Sequence, residues 1–367
     1  MDVEDRRIPW IALNSCVCEC PRAARIVLRA FPSVEEVFRA GEERLAALGV
    51  REDIARKIAA KGALDEAKKE LEKLEKRAYT LLTFEDGDYP VLLREIFDPP
   101  LVMYVSGRPE ALKGPAVSIV GARKPTPYGR AVAEKLAGDL ASRGVVIVSG
   151  LARGIDACAH WGAVKEGRTV AVMGSGLDVV YPDENRKLAA KVRERGAVVT
   201  EYPLDAPALG YHFPLRNRII SGLSLGLVVV EATRRSGSLI TARLALDENR
   251  EVMAVPGNVT SDLSLGTNWL IQTGAKLVEG WEDVAEGLPS PLREDLLSRK
   301  AEAKERRPLS EAEEKVLKTL PVDAQVHIDE IAEGTDLSVS ELLGVLLGLE
   351  LEGLVVQNPG KNFQRRI

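Results

Sequence analysis

The sequence lacks the patterns that would mark a membrane protein, a disulfide scaffold or a nucleotide-cofactor enzyme. Its longest apolar runs, such as Leu227 to Val230 and Leu342 to Leu349, fall well short of the ~20 residues that a bilayer-spanning helix needs. The N-terminus shows no signal-peptide pattern, so a cytoplasmic location is expected. Cysteine is scarce, with four in 367 residues. Three of them, Cys16, Cys18 and Cys20, alternate too closely for the usual zinc spacing. They read as reduced cysteines packed near a helix start, with metal binding as the lesser alternative. Aromatic residues make up only 5%. A G-x-G-x-x-G pattern fails at Gly174-Ser175-Gly176, because Val179 stands at the third glycine position. No Walker loop is present. NAD and ATP are therefore disfavoured, and no cofactor is expected.

What is present is an ordinary globular mixture, 45% hydrophobic and 29% charged, on a chain long enough for two or three domains. Taken whole, the net charge of −5 argues against nucleic acid, but it is an average over unlike parts. Residues 113 to 285 hold 21 basic against 18 acidic residues, whereas residues 309 to 367 hold 5 against 11. The middle of the chain is thus mildly basic and the C-terminal end strongly acidic.

Residues 1–78 read as a small helical domain of the SAM or helix-hairpin-helix kind. Its helices are expected at Pro21 to Phe31, Ser33 to Ala40, Glu42 to Leu48 and Arg51 to Ala60, with a capping box from Ser33 to Glu36. The charged stretch Asp65 to Arg77 reads as a solvated helix acting as a spacer.

Residues 79–287 change texture to short β-branched runs separated by glycine turns and helical stretches. Strands are expected at Ala116 to Val120, Val145 to Val148, Thr169 to Met173, Ala197 to Glu201, Leu227 to Glu231, Glu251 to Val255 and Lys276 to Val278. Apolar strands alternating with helices predict an α/β, Rossmann-like, doubly wound sheet covered on both faces. Residues 288–308 read as a linker. Residues 309–367 read as a winged helix: three helices and a hairpin turning at Asn358-Pro359-Gly360-Lys361.

In an open α/β sheet, ligands bind beyond the carboxyl ends of the strands, where loops enter helix N-termini. Four such loops here combine glycine, hydroxyl and arginine: Gly121 to Gly129, Ser149 to Asp156, Gly174 to Asp178 leading to Tyr181-Pro182, and Arg234 to Ser238. Glycine admits a phosphate close to the backbone, hydroxyls donate, and arginine adds a cationic fork. The segment from His212 to Arg218 adds two arginines beside Tyr202, Tyr211 and Phe213. Basic loops interleaved with aromatic faces suit single-stranded nucleic acid.

The blocks SIVGARKPTPYG from Ser118, SGLARGIDACAH from Ser149, GSGLDVVYPDENRKL from Gly174, FPLRNRIISGLS from Phe213, VVVEATRRSGSLITA from Val228 and VPGNVTSDLSLGTNWLIQTGA from Val255 resemble the DNA-processing protein A family (DprA/Smf). The resemblance is dense over residues 79 to 280. It implies a single-stranded DNA-binding protein that dimerises and loads the RecA recombinase during natural transformation. It also implies phosphate contacts from Arg123, Gly150, Arg153, Gly154, Lys187, Arg216, Asn217 and Arg218, and a rim completed by Ser149, Ser236, Gly237 and Ser238. One departure is visible: Tyr104-Val-Ser-Gly107 has Ser106 where the family commonly has arginine.

An enzyme is the alternative reading, since nucleotide phosphoribohydrolases share a similar fold. Their P-G-G-x-G-T-x-x-E signature would fall at Arg235 to Arg243, where the next carboxylate is Asp247 and no glutamate is expected beside the rim. His160 and His212 form no nucleophile-and-base set and read as buried structural residues. Asp156 and Asp178 fit loop-fixing roles. The would-be recognition helix, Ser338 to Glu350, contains no lysine or arginine. It is poorly suited to duplex DNA, and a partner-binding role is the better expectation.

Overall fold

The computed structural model describes residues 5–60, 62–298, 309–322 and 324–365. Six helices open the chain: α1 (Arg7–Val17), α2 (Pro21–Ala30), α3 (Val34–Arg39), α4 (Gly41–Ala47), α5 (Glu52–Ala59) and α6 (Gly62–Lys76). The segment forming α1 shows no amphipathic period because it is buried nearly all round, with Ile8, Trp10, Ile11, Leu13, Asn14 and Val17 inside. Sequence periodicity could not find it. The capping box expected at Ser33 does not form, since its side chain makes no cap hydrogen bond.

The reading of α6 as a spacer is also corrected. It buries Ala63, Ala67, Leu71 and Leu74. Glu70 is buried with them and accepts the Leu204 N–H at 2.6 Å, while nearer solvent Lys73 pairs with Asp205 at 3.0 Å and Arg77 with Asp178 at 2.9 Å. A helix so rich in charge would ordinarily face water. Here its carboxylate and cations find partners on the next domain, and one continuous apolar core joins the first six helices to that domain.

The central domain is a nine-stranded sheet. Its strands are β1 (Thr80–Thr83), β2 (Val102–Gly107), β3 (Ala116–Val120), β4 (Val146–Ser149), β5 (Thr169–Val172), β6 (Ala197–Thr200), β7 (Gly226–Val229), β8 (Glu251–Ala254) and β9 (Lys276–Leu277). They lie in the order β1-β2-β6-β5-β4-β3-β7-β8-β9. Strands β3 to β9 pair in parallel, and β1 and β2 add antiparallel to the β6 edge. The helices α7 (Val91–Arg94), α8 (Pro127–Ser142), α9 (Ile155–Glu166), α10 (Arg186–Arg195), α11 (His212–Gly222), α12 (Gly237–Asp247), α13 (Leu265–Gln272) and α14 (Trp281–Glu286) accompany it. Side chains alternate along the strands: Val146 and Val148 join the core under α11 and α12, while Ile147 joins the core under α8 and α9. Chain order reverses at β3, so β3 and β7 flank the topological switch point.

The linker expected at 288–308 begins later than the composition suggests. Residues Leu292–Ser298 form α15, which buries Leu296 against the core under α8 and α9. Residues 299–308 lie outside the described residues. The C-terminal unit holds α16 (Glu311–Thr319), β10 (Val326–His327), α17 (Ile328–Thr335), α18 (Val339–Leu351), β11 (Val355–Asn358) and β12 (Asn362–Arg365). Capping boxes from Ser310 to Glu313 and Ser338 to Glu341 start α16 and α18. The hairpin turns through Gly360 and Lys361, both at positive φ. This is a winged helix around Val316, Ile331, Leu342, Leu346 and Phe363. Among the described residues no helix is long and apolar enough to cross a membrane.

Candidate nucleic-acid interface

The loops leaving β3, β4 and β5 are braced against one another at the carboxyl edge of the sheet. Gly154, at φ +78°, brings the β4–α9 loop so close to the β3–α8 loop that a Cβ there would stand 2.3 Å from the Ala122 carbonyl oxygen. Only glycine serves in that backbone conformation at that distance. The Ile155 N–H then donates to the same Ala122 carbonyl at 3.1 Å. Asp156 fixes the β4–α9 loop by accepting the Gly150 N–H at 3.1 Å. Asn185 ties the segment after β5 to it by donating to Leu151 O at 2.9 Å and Ala152 O at 3.3 Å. At the switch point, Thr126 caps α8 while its own N–H and hydroxyl donate to Glu231 at 2.9 and 2.5 Å.

This bracing leaves Arg123 and Lys124 exposed on one loop and Arg153 on the next. Between them lies a cleft of about 60 Å³ lined by Arg123, Gly150, Arg153, Tyr181, Phe213 and Arg216 among others. Its wall is aromatic: Tyr181, half exposed, packs against Phe213 at 5.6 Å between ring centroids. The Arg123 guanidinium stands 5.7 Å over the Phe213 ring. Phe213 can lie this low because Gly174 has no Cβ, which would meet the ring at 2.9 Å.

Arg216 forms the floor. It is 4% exposed, donates to Gly150 O at 2.8 Å and also to Val172 O. Burial pulls its pKa down to about 10 while Asp156 opposes the shift, so the guanidinium is charged at neutral pH. Burial likewise raises the Asp156 carboxyl, against the pull of Arg216. The cation is held beneath the cleft by the two backbone carbonyls, with the Asp156 carboxyl acting on it through space.

The twelve residues expected at the rim separate into groups. Arg123, Gly150, Arg153 and Arg216 line the cleft together, and Gly154 shapes its loops. Arg153 is paired with Glu184 at 2.9 Å across an exposed surface, a contact of little strength in water. Lys187 is exposed in the first turn of α10, and Asn217 accepts a 3.3 Å hydrogen bond from Arg216 Nε. Ser236, Gly237 and Ser238 stand farther along the same edge, at the start of α12. There the Ser236 side chain caps the helix by accepting the Ser238 N–H, and the two hydroxyls lie 2.7 Å apart. The exposed groups of that loop are Arg234 and Arg235.

Two of the expected contacts are spent elsewhere. Ser149 is wholly buried and its hydroxyl donates to Ile119 O at 2.7 Å, inside the sheet. Arg218 makes a bidentate pair with Glu201, 2.6 Å on each arm, and donates to Asp98 O at 2.8 Å. Its charge is consumed by a buried partner and its pKa is raised accordingly, against the desolvation that burial imposes. The departure at Ser106 is settled in the same way, since that residue is buried within β2 opposite Val198.

Tyr202 is a core residue stacked on His212 at 4.0 Å. The His212 ring nitrogens face Gly174 O at 3.1 Å and Glu19 at 3.0 Å, and exposed Tyr211 reaches Glu19 at 3.0 Å. His160 is fully buried beside the Thr169 hydroxyl at 2.7 Å, and burial lowers its pKa to about 3. The expectation that no glutamate stands beside the rim needs correcting: Glu231 sits just past β7. It was hidden because it precedes the stretch compared with the hydrolase signature. Both of its oxygens accept from Thr126.

The family model for DNA recombination-mediator protein A matches residues 80–289. The chain belongs to the DNA recombination-mediator protein A family. The DprA winged helix domain matches residues 299–361. Among relatives, Protein Smf of Escherichia coli K12 is 40% identical over 295 residues, 78% of either chain. DprA of Streptococcus pneumoniae R6 is 46% identical over 200 residues, 54% of this chain and 71% of that one. An X-ray structure of DprA from Streptococcus pneumoniae superposes with a TM-score of 0.58 at 40% identity, over 65% of this chain and 86% of that chain. DNA processing protein A from Helicobacter pylori, a structure concerned with its single-stranded DNA binding mode, gives 0.52 at 32% identity over 56% and 93%. The family match spans every residue of the cleft.

Proposed function

We propose that this member of the DprA family binds single-stranded DNA in the cleft at the carboxyl edge of its sheet and hands it to the RecA recombinase in transformation and recombination. The observation that carries the reading is the convergence of Arg123, Arg153 and Arg216 with the Tyr181–Phe213 wall in one cleft. Cations meet phosphates there while rings offer faces to unstacked bases. The single-stranded DNA binding mode described for the Helicobacter pylori relative supports it. A duplex, with its bases stacked inside, gains nothing from an aromatic wall. RecA and the transformation setting come from the family resemblance, as does a cytoplasmic location.

A homodimer through the central domain belongs to the same proposal. Val259 and Trp269 are exposed beside Arg234, and Leu277 is exposed on β9, the open edge of the sheet. Catalysis does not belong to it: His160, His212 and Glu231 are buried and hydrogen-bonded to the fold, and none is poised as a general base.

The test is a salt-titrated comparison of single-stranded and duplex DNA. Affinity for the single strand should exceed that for the duplex and fall steeply with salt, with log K declining by ~0.7 per phosphate neutralised for each tenfold rise in salt. Equal, salt-insensitive affinity for the two forms would overturn the reading. Release of free base from nucleoside monophosphates would favour the hydrolase instead.

A further inference from the structure

We propose that the solvent face of α18 is a docking surface for a basic amphipathic helix of a protein partner. This helix holds the place where a winged helix presents its recognition helix to DNA. Its inner side builds the domain core through Leu342, Leu346 and Leu349. Its outer side carries Val339, Leu343 and Leu347, which are 54%, 48% and 58% exposed. The three are spaced i, i+4, i+8 and so form a single ridge about 12 Å long, two turns of helix. Next to it Gly344 is exposed, with nothing within 4 Å of where a Cβ would stand. An apolar ridge beside a gap of that kind is the relief into which side chains of a second helix pack.

Charge selects the occupant. Residues 309 to 367 carry 11 acidic and 5 basic residues, and α18 has no lysine or arginine. Glu330, Glu333 and Glu341 are exposed on α17 and α18. A polyanion is repelled by such a surface, and a second copy of the module would bring the same negative sign against it. A helix with leucine-like residues on one face and lysine or arginine beside them meets both the ridge and the field. The proposal does not rest on DNA binding by the cleft.

The full chain, labelled at leucine and valine methyls, is titrated with a synthetic helix of about five turns carrying leucine on one face and lysine on the other. Controls are a scrambled peptide of equal composition, a version with glutamate for lysine, and a short DNA duplex. The expected result is methyl shifts centred on Val339, Leu343 and Leu347, with both control peptides and a Leu343→Ser/Leu347→Ser chain binding at least about tenfold more weakly, some 1.4 kcal/mol. Val339→Ser serves as a milder second variant with a smaller loss. Equal binding of the scrambled peptide, or shifts of these methyls on adding duplex, would overturn the proposal. So would self-association in sedimentation that the double variant abolishes, which would assign the ridge to a second copy.

Discussion

The carboxyl edge of the central sheet and the outer face of α18 are both places where folds of these kinds commonly meet nucleic acid, and in this chain they have opposite chemistry. The sheet edge presents Arg123 and Arg153 around an aromatic wall, with Lys124 exposed on the same loop as Arg123 and Lys187 at the start of α10. The helix face presents Val339, Leu343 and Leu347 and no cation. A winged helix is a scaffold, and what it binds is decided by the side chains it displays. The same holds within α11, where two arginines two residues apart serve different ends. Arg216 underlies the cleft and Arg218 locks Glu201 into the fold.

The largest effects should separate those two arginines. Removing Arg218 leaves the buried Glu201 carboxylate unpaired, at a cost of about 3–5 kcal/mol of stability, whereas removing Arg216 leaves the Gly150 and Val172 carbonyls without their donor, at about 1–3 kcal/mol. Chemical denaturation should therefore show the larger loss for Arg218→Ala and a smaller one for Arg216→Ala. In the folded protein, at low temperature, only Arg216→Ala should also lose DNA affinity. Equal affinity losses would restore Arg218 to the interface and erase the contrast.

Next in size is the pair of exposed cations. Arg123→Ala and Arg153→Ala should each weaken single-strand binding by roughly 1.5–3 kcal/mol, the range for charged hydrogen bonds, and lower the salt slope by ~0.7 each. Their melting temperatures should stay close to that of the parent chain. An unchanged slope would mean that neither touches phosphate.

Stacking comes third. Phe213→Ala and Tyr181→Ala should each cost about 1–3 kcal/mol of affinity, with the salt slope intact. That combination distinguishes an aromatic contact from a cationic one. The smallest effect sharpens the comparison from the other side: Leu343→Ser with Leu347→Ser should leave single-strand affinity unchanged and stability within ~0.5 kcal/mol per exposed site.

Much of this organisation was legible in the sequence, because the parallel strands, short β9 apart, are largely apolar runs between loops and helices and the acidic terminal unit shows in its charges. Strands β1 and β2 were not, since they stand outside the alternation of strand, glycine loop and helix and take their place by antiparallel pairing, β2 to β6 and β1 to β2. The different fates of Arg216 and Arg218 could have been anticipated. Two residues along a helix turn about 200°, so both could not face one cleft. Ser149 is a subtler case: it ends β4, and its hydroxyl reaches the neighbouring β3 instead of the loop beyond. Tyr181 and Glu231 stood in the motifs, but only the folded loops show that one is half exposed in the cleft wall and the other is closed off by Thr126.

The hydrogen bonds that join the rim loops, from Ile155 to Ala122, Asn185 to Leu151 and Thr126 to Glu231, have a kinetic side. Ordering a loop residue costs about 1–2 kcal/mol of backbone entropy, and here that cost is met when the chain folds, before any strand arrives. A site whose loop backbone is already braced can meet its ligand without a folding step and release it without local unfolding. On the proposed function, residence time is then governed by counterions and stacking, and handing a strand on would gain from a surface that does not tighten around it.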